Sequence, residues 1–160
     1  NAARGRNYGL EASLNWSVRP SLLLGATLGL LESEYLDYQY GDRNLDGREQ
    51  ASAPPYQYSL SAEWTSGRGW MARADVLGCA PFYFDTSNDQ RSNAYTLVNL
   101  KAGYESGRWS VYAWGRNVFD EKYAVRGFYF GLEPPDFADK LYIQRGDPRL
   151  AGVTFTWSVL

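Results

Sequence analysis

The sequence predicts an all-β fold: an antiparallel up-and-down meander of about seven long strands that forms part of a transmembrane β-barrel. Three observations carry this expectation. Runs of about ten residues alternate apolar and polar side chains with period two. Tight turns alternate strictly with long polar connections, an asymmetry typical of membrane barrels. Finally, Trp16, Trp64, Trp70, Trp109 and Trp157 all fall beside a short turn or near the C-terminus. An indole buries its body at the acyl boundary and keeps its N–H wet, so Trp in a row at one level marks a membrane interface.

The elements follow in order. Residues 8–18 put Tyr8, Leu10, Ala12, Leu14, Trp16 and Val18 on one face, and Glu11, Ser13, Asn15 and Ser17 on the other. The turn Arg19-Pro20-Ser21 leads into 22–31, the longest apolar stretch, which Gly and Thr interrupt. At that length it falls far short of the ~20 residues a spanning helix needs. Residues 58–65 split into Tyr58, Leu60, Ala62 and Trp64 against Ser59, Ser61, Glu63 and Thr65. After Ser66-Gly67-Arg68-Gly69, residues 70–80 set Trp70, Ala72, Ala74, Val76, Gly78 and Ala80 against a face holding Arg73 and Asp75. Residues 96–105 separate Thr96, Val98, Leu100, Ala102 and Tyr104 from Leu97, Asn99, Lys101, Gly103 and Glu105. Beyond Ser106-Gly107-Arg108, residues 109–117 alternate most weakly, with Tyr112, Trp114 and Arg116 on the inward parity. The final run gives Val153, Phe155, Trp157 and Val159 against Thr154, Thr156 and Ser158.

A soluble β-sandwich binding module also alternates apolar-in and polar-out. The length of the runs, the short–long alternation of connections and the confinement of Trp to the short-turn end favour the membrane wall over that module. A small outer-membrane structural or adhesion barrel is a second alternative. Composition narrows the function classes. The 160 residues are 44% hydrophobic and 16% aromatic, with 13 Tyr and a formal net charge of −2. No basic field points to nucleic acid. With no His and a single Cys, Ser-His-Asp and Cys-His arrangements and ordinary zinc sites are out of reach, so no enzyme and no cofactor is expected. Cys79 reads as an inert small residue.

By the short-turn rule the Trp end faces the periplasm and the long connections, 40–55, 85–93 and 124–147, face outward. Tyr35, Tyr38, Tyr56, Phe82, Tyr83, Phe84, Tyr95, Tyr123, Phe128 and Tyr129 then form an outer aromatic belt, most simply interface anchors. From these, Tyr38, Phe82, Tyr83, Phe84 and Tyr129 are the candidates for solute contact, together with the lumen charges Arg73, Lys101 and Arg116. The lumen charges, including Asp75 and Glu105, are of mixed sign and are expected to pair with one another or with a plug. Asp42-Arg43-Asn44-Leu45-Asp46-Gly47 matches the first half of a calcium loop, D-x-N-x-D-G, making Asp42, Asn44 and Asp46 candidate ligands. The second half fails: the twelfth position is Ala53, and only Glu49 lies nearby.

Asn117-Val118-Phe119-Asp120-Glu121-Lys122-Tyr123 resembles the N-[LV]-F-D-x-x-Y element in the penultimate strand of TonB-dependent outer-membrane receptors. Residues 146–157, from Gly146-Asp147-Pro148-Arg149 to Trp157, resemble their closing strand, G-x-P-R-x-x-G-[VL]-x-[FL]-x-[YW]. Residues 47–60, with Ala53-Pro54-Pro55-Tyr56, resemble a loop-to-strand junction of the same receptors. The resemblance implies a bacterial outer-membrane location, an N-terminal plug inside a barrel of about 22 strands, and import of a scarce small-molecule solute, commonly an iron–siderophore complex, with energy relayed by TonB through the plug. About seven strands cannot close a ligand-sized pore. The chain is therefore expected to be the C-terminal portion of such a barrel, its partners being membrane lipid, a plug and the remaining strands. Family chains usually end on an outward-facing aromatic residue; here Val159 takes that register and Leu160 lies one place beyond.

Overall fold

The tight turn 66–69 has a local cause. Gly67 and Gly69 adopt left-handed φ values of 69° and 94°, which glycine reaches without steric penalty. The Ser66 hydroxyl accepts the N–H groups of Arg68 and Trp70, both at 3.1 Å. The computed structural model describes residues 4–86 and 88–159, so Leu160 lies outside the described residues. The strands are β1 (Arg4–Arg19), β2 (Leu22–Asp37), β3 (Gln39–Tyr40), β4 (Arg43–Asn44), β5 (Tyr56–Thr65), β6 (Trp70–Cys79), β7 (Tyr95–Ser106), β8 (Trp109–Arg116), β9 (Ala124–Phe130), β10 (Lys140–Arg145) and β11 (Leu150–Trp157). Seven of them form one antiparallel sheet in the order β1-β2-β5-β6-β7-β8-β11. This is the predicted meander.

The register carries the period-two pattern across the whole sheet. Trp16, Leu24, Ala62, Ala74 and Leu100 are successive cross-strand partners, as are Leu22, Trp64, Ala72, Ala102, Ala113 and Val153. One residue out of phase, Glu63, Arg73, Lys101, Trp114 and Gly152 run across the opposite face. A slip of one residue would exchange the two faces, so the pattern itself fixes the register. The apolar face is uncovered: Leu10, Leu14, Leu60, Leu100, Val153 and Phe155 are all exposed. An apolar surface of this extent is one that a soluble monomer does not present. β1 and β11 stand at opposite edges of the sheet instead of pairing with each other.

The long connections contain more structure than their polar sequences suggest. β3–β4 and β9–β10 form separate two-stranded ribbons. The latter was hidden because Phe128, Tyr129 and Phe130 place aromatic rings on both faces and blur the alternation. The described core sits at the long-loop end, where Cys79, Phe82 and Phe84 cluster with Tyr95, Ala124 and Leu141.

The segment 117–123 clips the end of β8 to the start of β11. Asn117 adopts a left-handed φ of 46° and is 4% exposed. Its side-chain amide donates to the carbonyls of Glu121 (2.9 Å) and Asp147 (3.0 Å), and its oxygen accepts the Glu121 N–H (2.8 Å). Asp120, also left-handed at 56°, accepts the Arg149 N–H at 2.9 Å. The Asp120 carboxyl is held below the ordinary carboxylate range, first by that N–H and next by the Lys122 ammonium.

Candidate functional site

The polar face gathers the inward charges around Arg73. Its guanidinium grips Asp75 through two N–H groups, Nη2 to Oδ1 at 2.7 Å and Nε to Oδ2 at 3.0 Å, and reaches Glu63 at 3.0 Å. Lys101, the cross-strand neighbour of Arg73, lies 3.9 Å from the centre of the Tyr112 ring. The Tyr112 hydroxyl donates to Glu105 at 3.0 Å. Arg116 sits 5.6 Å from the Trp114 ring, whose indole N–H donates to Thr154 at 3.1 Å. Trp114 can lie flat here because its neighbour is Gly152, where a Cβ would come within 2.6 Å of the indole. Arg73, Lys101 and Arg116 are therefore brought together on one face. Arg73 is neutralised by carboxylates, whereas Lys101 and Arg116 rest against aromatic rings.

The aromatic candidates scatter. Phe82 and Phe84 are 8% and 7% exposed, their rings 5.9 Å apart at 83°, so they fill a small interior. Two aromatic residues at i and i+2 share one side of an extended loop. That side closes on Cys79 and Tyr95, and the Ser92 hydroxyl accepts the Phe82 N–H at 3.0 Å. Tyr83, pointing the other way, is enclosed by Arg48 and Arg91, whose guanidiniums lie 4.1 and 4.5 Å from its ring centre. Tyr95 and Tyr123 pack against each other, their ring centres 4.6 Å apart and tilted at 38°. Tyr38 belongs to another loop, where it packs between Tyr35 and Tyr40 at 4.8 and 6.2 Å. Tyr129 pairs with Leu141 on the side of its hairpin turned to the Phe84 cluster. Tyr56 is in register with Leu30 on the apolar face and is exposed.

The calcium-like run builds a turn. Asn44 Oδ1 accepts the Asp46 N–H and Asp46 Oδ1 accepts the Tyr38 N–H, both at 2.8 Å, while Asp42 lies in the turn of the β3–β4 ribbon. The oxygens of Asn44 and Asp46 thus satisfy backbone donors within an Asx-type loop, the common role of these residues in turns.

Sequence reasoning missed the arginines that join the loops. The Arg48 guanidinium donates to the carbonyls of Thr86 and Asp85 at 3.0 Å each, and also to that of Asn88. Arg43 pairs with Asp89 and Arg91 with Glu49, both at 2.6 Å. Loops 38–55 and 80–94 are thereby tied into one cap. No spacing rule reveals such a contact, since the partners are about forty residues apart and meet only after the sheet forms.

An open antiparallel sheet with an apolar face, a charged face, Trp at the short-turn end and ordered loops at the other defines a segment of a membrane β-barrel wall. The TonB dependent receptor-like, beta-barrel family model matches residues 1–118. The chain belongs to that family. Among solved structures it is similar to the ferric yersiniabactin uptake receptor FyuA from Yersinia pestis, at 22% identity and a TM-score of 0.83, covering 100% of this chain and 24% of that one. It is also similar to the siderophore receptor PiuA from Acinetobacter baumannii, at 16% identity and a TM-score of 0.79, covering 97% of this chain and 22% of that one. A chain of the FpvAI–pyocin S2 complex matches at 17% identity and a TM-score of 0.68, over 97% of this chain and 19% of that one. These likenesses establish the fold. The chain spans about a quarter or less of the length of each solved relative.

Proposed function

We propose that this chain supplies wall and extracellular loops to a bacterial outer-membrane receptor that actively imports an iron–siderophore complex or a similar scarce solute. The observation that carries the proposal is the division of one sheet into an exposed apolar face and a face bearing Glu63, Arg73, Asp75, Lys101 and Arg116. That division suits a wall between lipid and an aqueous lumen. Family membership and the names of two solved relatives, a ferric yersiniabactin uptake receptor and a siderophore receptor, support the choice of solute class. In this reading the open edges of β1 and β11 pair with barrel strands outside this chain, a plug fills the lumen, and TonB acts through the plug. The wall and loops bind and admit the solute; chemistry on it is not their task.

The test is transport. In iron-starved cells lacking the gene, restoring the receptor should restore uptake of radio-iron given as ferric siderophores. Uptake should stop when TonB is absent. Restored cells that accumulate no iron chelate above the deletion strain would refute the proposal.

A further inference from the structure

The β9–β10 hairpin carries an aromatic surface that the interior of the loops does not use. Stacking proceeds outward from the wall. Cys79 and Tyr95 lie on the parity of Arg73 and Lys101, Phe82 and Phe84 cover them, and Leu141 packs on that cluster. Gly127 closes the contact, for a Cβ there would stand 2.5 Å from the Phe84 ring. Gly127, Tyr129 and Leu141 therefore form the hairpin's inward side, whereas Val125 and Ile143, nearer its base, are exposed. The opposite side turns away from the wall, and it bears Arg126, Phe128, Phe130, Tyr142 and Gln144.

On that side Phe128 and Tyr142 are stacked at 5.7 Å and 20°, and Phe130 meets Tyr142 edge-on at 6.5 Å. Phe128 and Phe130 remain 44% and 42% exposed. Adjacent exposed rings on a polar loop are costly in water and mark a binding surface. The two ends of the patch differ in charge. At the tip, Lys140 meets Asp136 at 3.3 Å and Glu133 at 4.0 Å, and Glu133 also accepts a hydrogen bond from the Tyr142 hydroxyl, so this end of the patch is acidic and an anionic edge is directed away from it. At the base, Arg126 flanks the Phe128 ring at 5.9 Å, with Gln144 across the ribbon. Among the described residues Arg126 has no carboxylate at ion-pair distance.

Building on the receptor reading above, we infer that this face recognises an aryl-bearing anionic iron chelate, its ring stacked on Phe128 and Tyr142 and its phenolate or carboxylate edge directed to Arg126 and Gln144. A flat ring gains offset-stacking and edge contacts here. The guanidinium supplies charge-assisted N–H donors to an oxyanion. A chelate built from hydroxamates or citrate alone has no ring to place.

The experiment uses the whole receptor purified in detergent. Quenching of intrinsic fluorescence is titrated with three ferric probes: a tris-catecholate chelate, a trihydroxamate chelate and ferric citrate. The catecholate chelate should bind at least about tenfold more tightly than the other two. Phe128→Leu and Tyr142→Leu keep apolar bulk and remove the ring face; each should weaken catecholate binding several-fold. Arg126→Gln should weaken it as well, and Phe137→Ser at the tip should leave it unchanged. Heat-modifiable gel mobility checks that every variant is folded. Preference for the hydroxamate or citrate probe, or unchanged catecholate affinity in folded Phe128→Leu and Tyr142→Leu, overturns the inference and leaves the receptor reading standing. Absence of binding by all three probes overturns the inference, and the transport assay then decides the receptor reading separately.

Discussion

Leu60 and Ser61 are adjacent on β5 but belong to opposite faces, so one pair of substitutions tests the wall directly. Leu60 lies between Ala26 and Val76 in the apolar register and is 49% exposed. Ser61 lies between Gly25 and Asp75 on the polar side. Leu60→Arg removes roughly half of a leucine's apolar contact, about 1 kcal/mol from a full-burial value of about 1.5–3 kcal/mol. It also places a guanidinium in hydrocarbon near mid-strand, which brings the total to about 2–4 kcal/mol. Ser61→Arg puts the same charge opposite the Asp75 carboxylate in a wet lumen, at a cost of about 0–1 kcal/mol. The gap of about 2 kcal/mol is a more than tenfold difference in folding equilibrium. Urea titration of the receptor refolding into phosphatidylcholine vesicles, followed by tryptophan fluorescence and gel mobility, measures it. Equal losses for the two variants would refute the facing of the sheet.

Three further outcomes are expected. Asn117→Ala leaves the Glu121 N–H and the Glu121 and Asp147 carbonyls without their partner. At about 1–3 kcal/mol for a buried group left unsatisfied, it should raise hydrogen exchange along the β8–β11 ladder while leaving β1–β2 unchanged. The depressed Asp120 carboxyl stabilises the fold above the ordinary aspartate value and loses that contribution as pH falls through its lower folded-state value. The start of β11 should thus stay protected in mild acid and loosen only in stronger acid, and Asp120→Asn should abolish that step in exchange measured against pH. Arg48→Ala removes donors to three carbonyls of the neighbouring loop and one side of the Tyr83 enclosure. It should open both 38–55 and 80–94 to limited proteolysis, and cleavage of only one of them would show that the loops are not tied.

Most of the sheet was legible in the sequence because each strand obeys a local rule. Alternation at 58–65 and 70–80 assigns faces without knowledge of the partner strand, and the Trp residues mark one end. The inward parity of Tyr112, Trp114 and Arg116 was readable for the same reason. The loop interior was not. Phe82 and Phe84 look like interface anchors in sequence, and only the closure of 80–94 over Cys79 and Tyr95 makes them a core. Arg48 and Tyr83 belong to different loops, so no periodicity links them. The run Asp42 to Gly47 shows a further limit: oxygen-bearing side chains at alternate positions suit a cation and also suit turn backbones, and here Asn44 and Asp46 cap N–H groups.

The most direct measurement of the central claim is labelling of single cysteines from the cell exterior. Asp42→Cys and Asp136→Cys occupy the exposed long-loop end, Arg68→Cys the exposed short-turn end, and the native Cys79 is buried. In intact cells a membrane-impermeant maleimide should label positions 42 and 136 and spare position 68, which should react only after the outer membrane is opened. Labelling of position 68 on intact cells, with 42 and 136 protected, would reverse the wall's orientation and contradict the account.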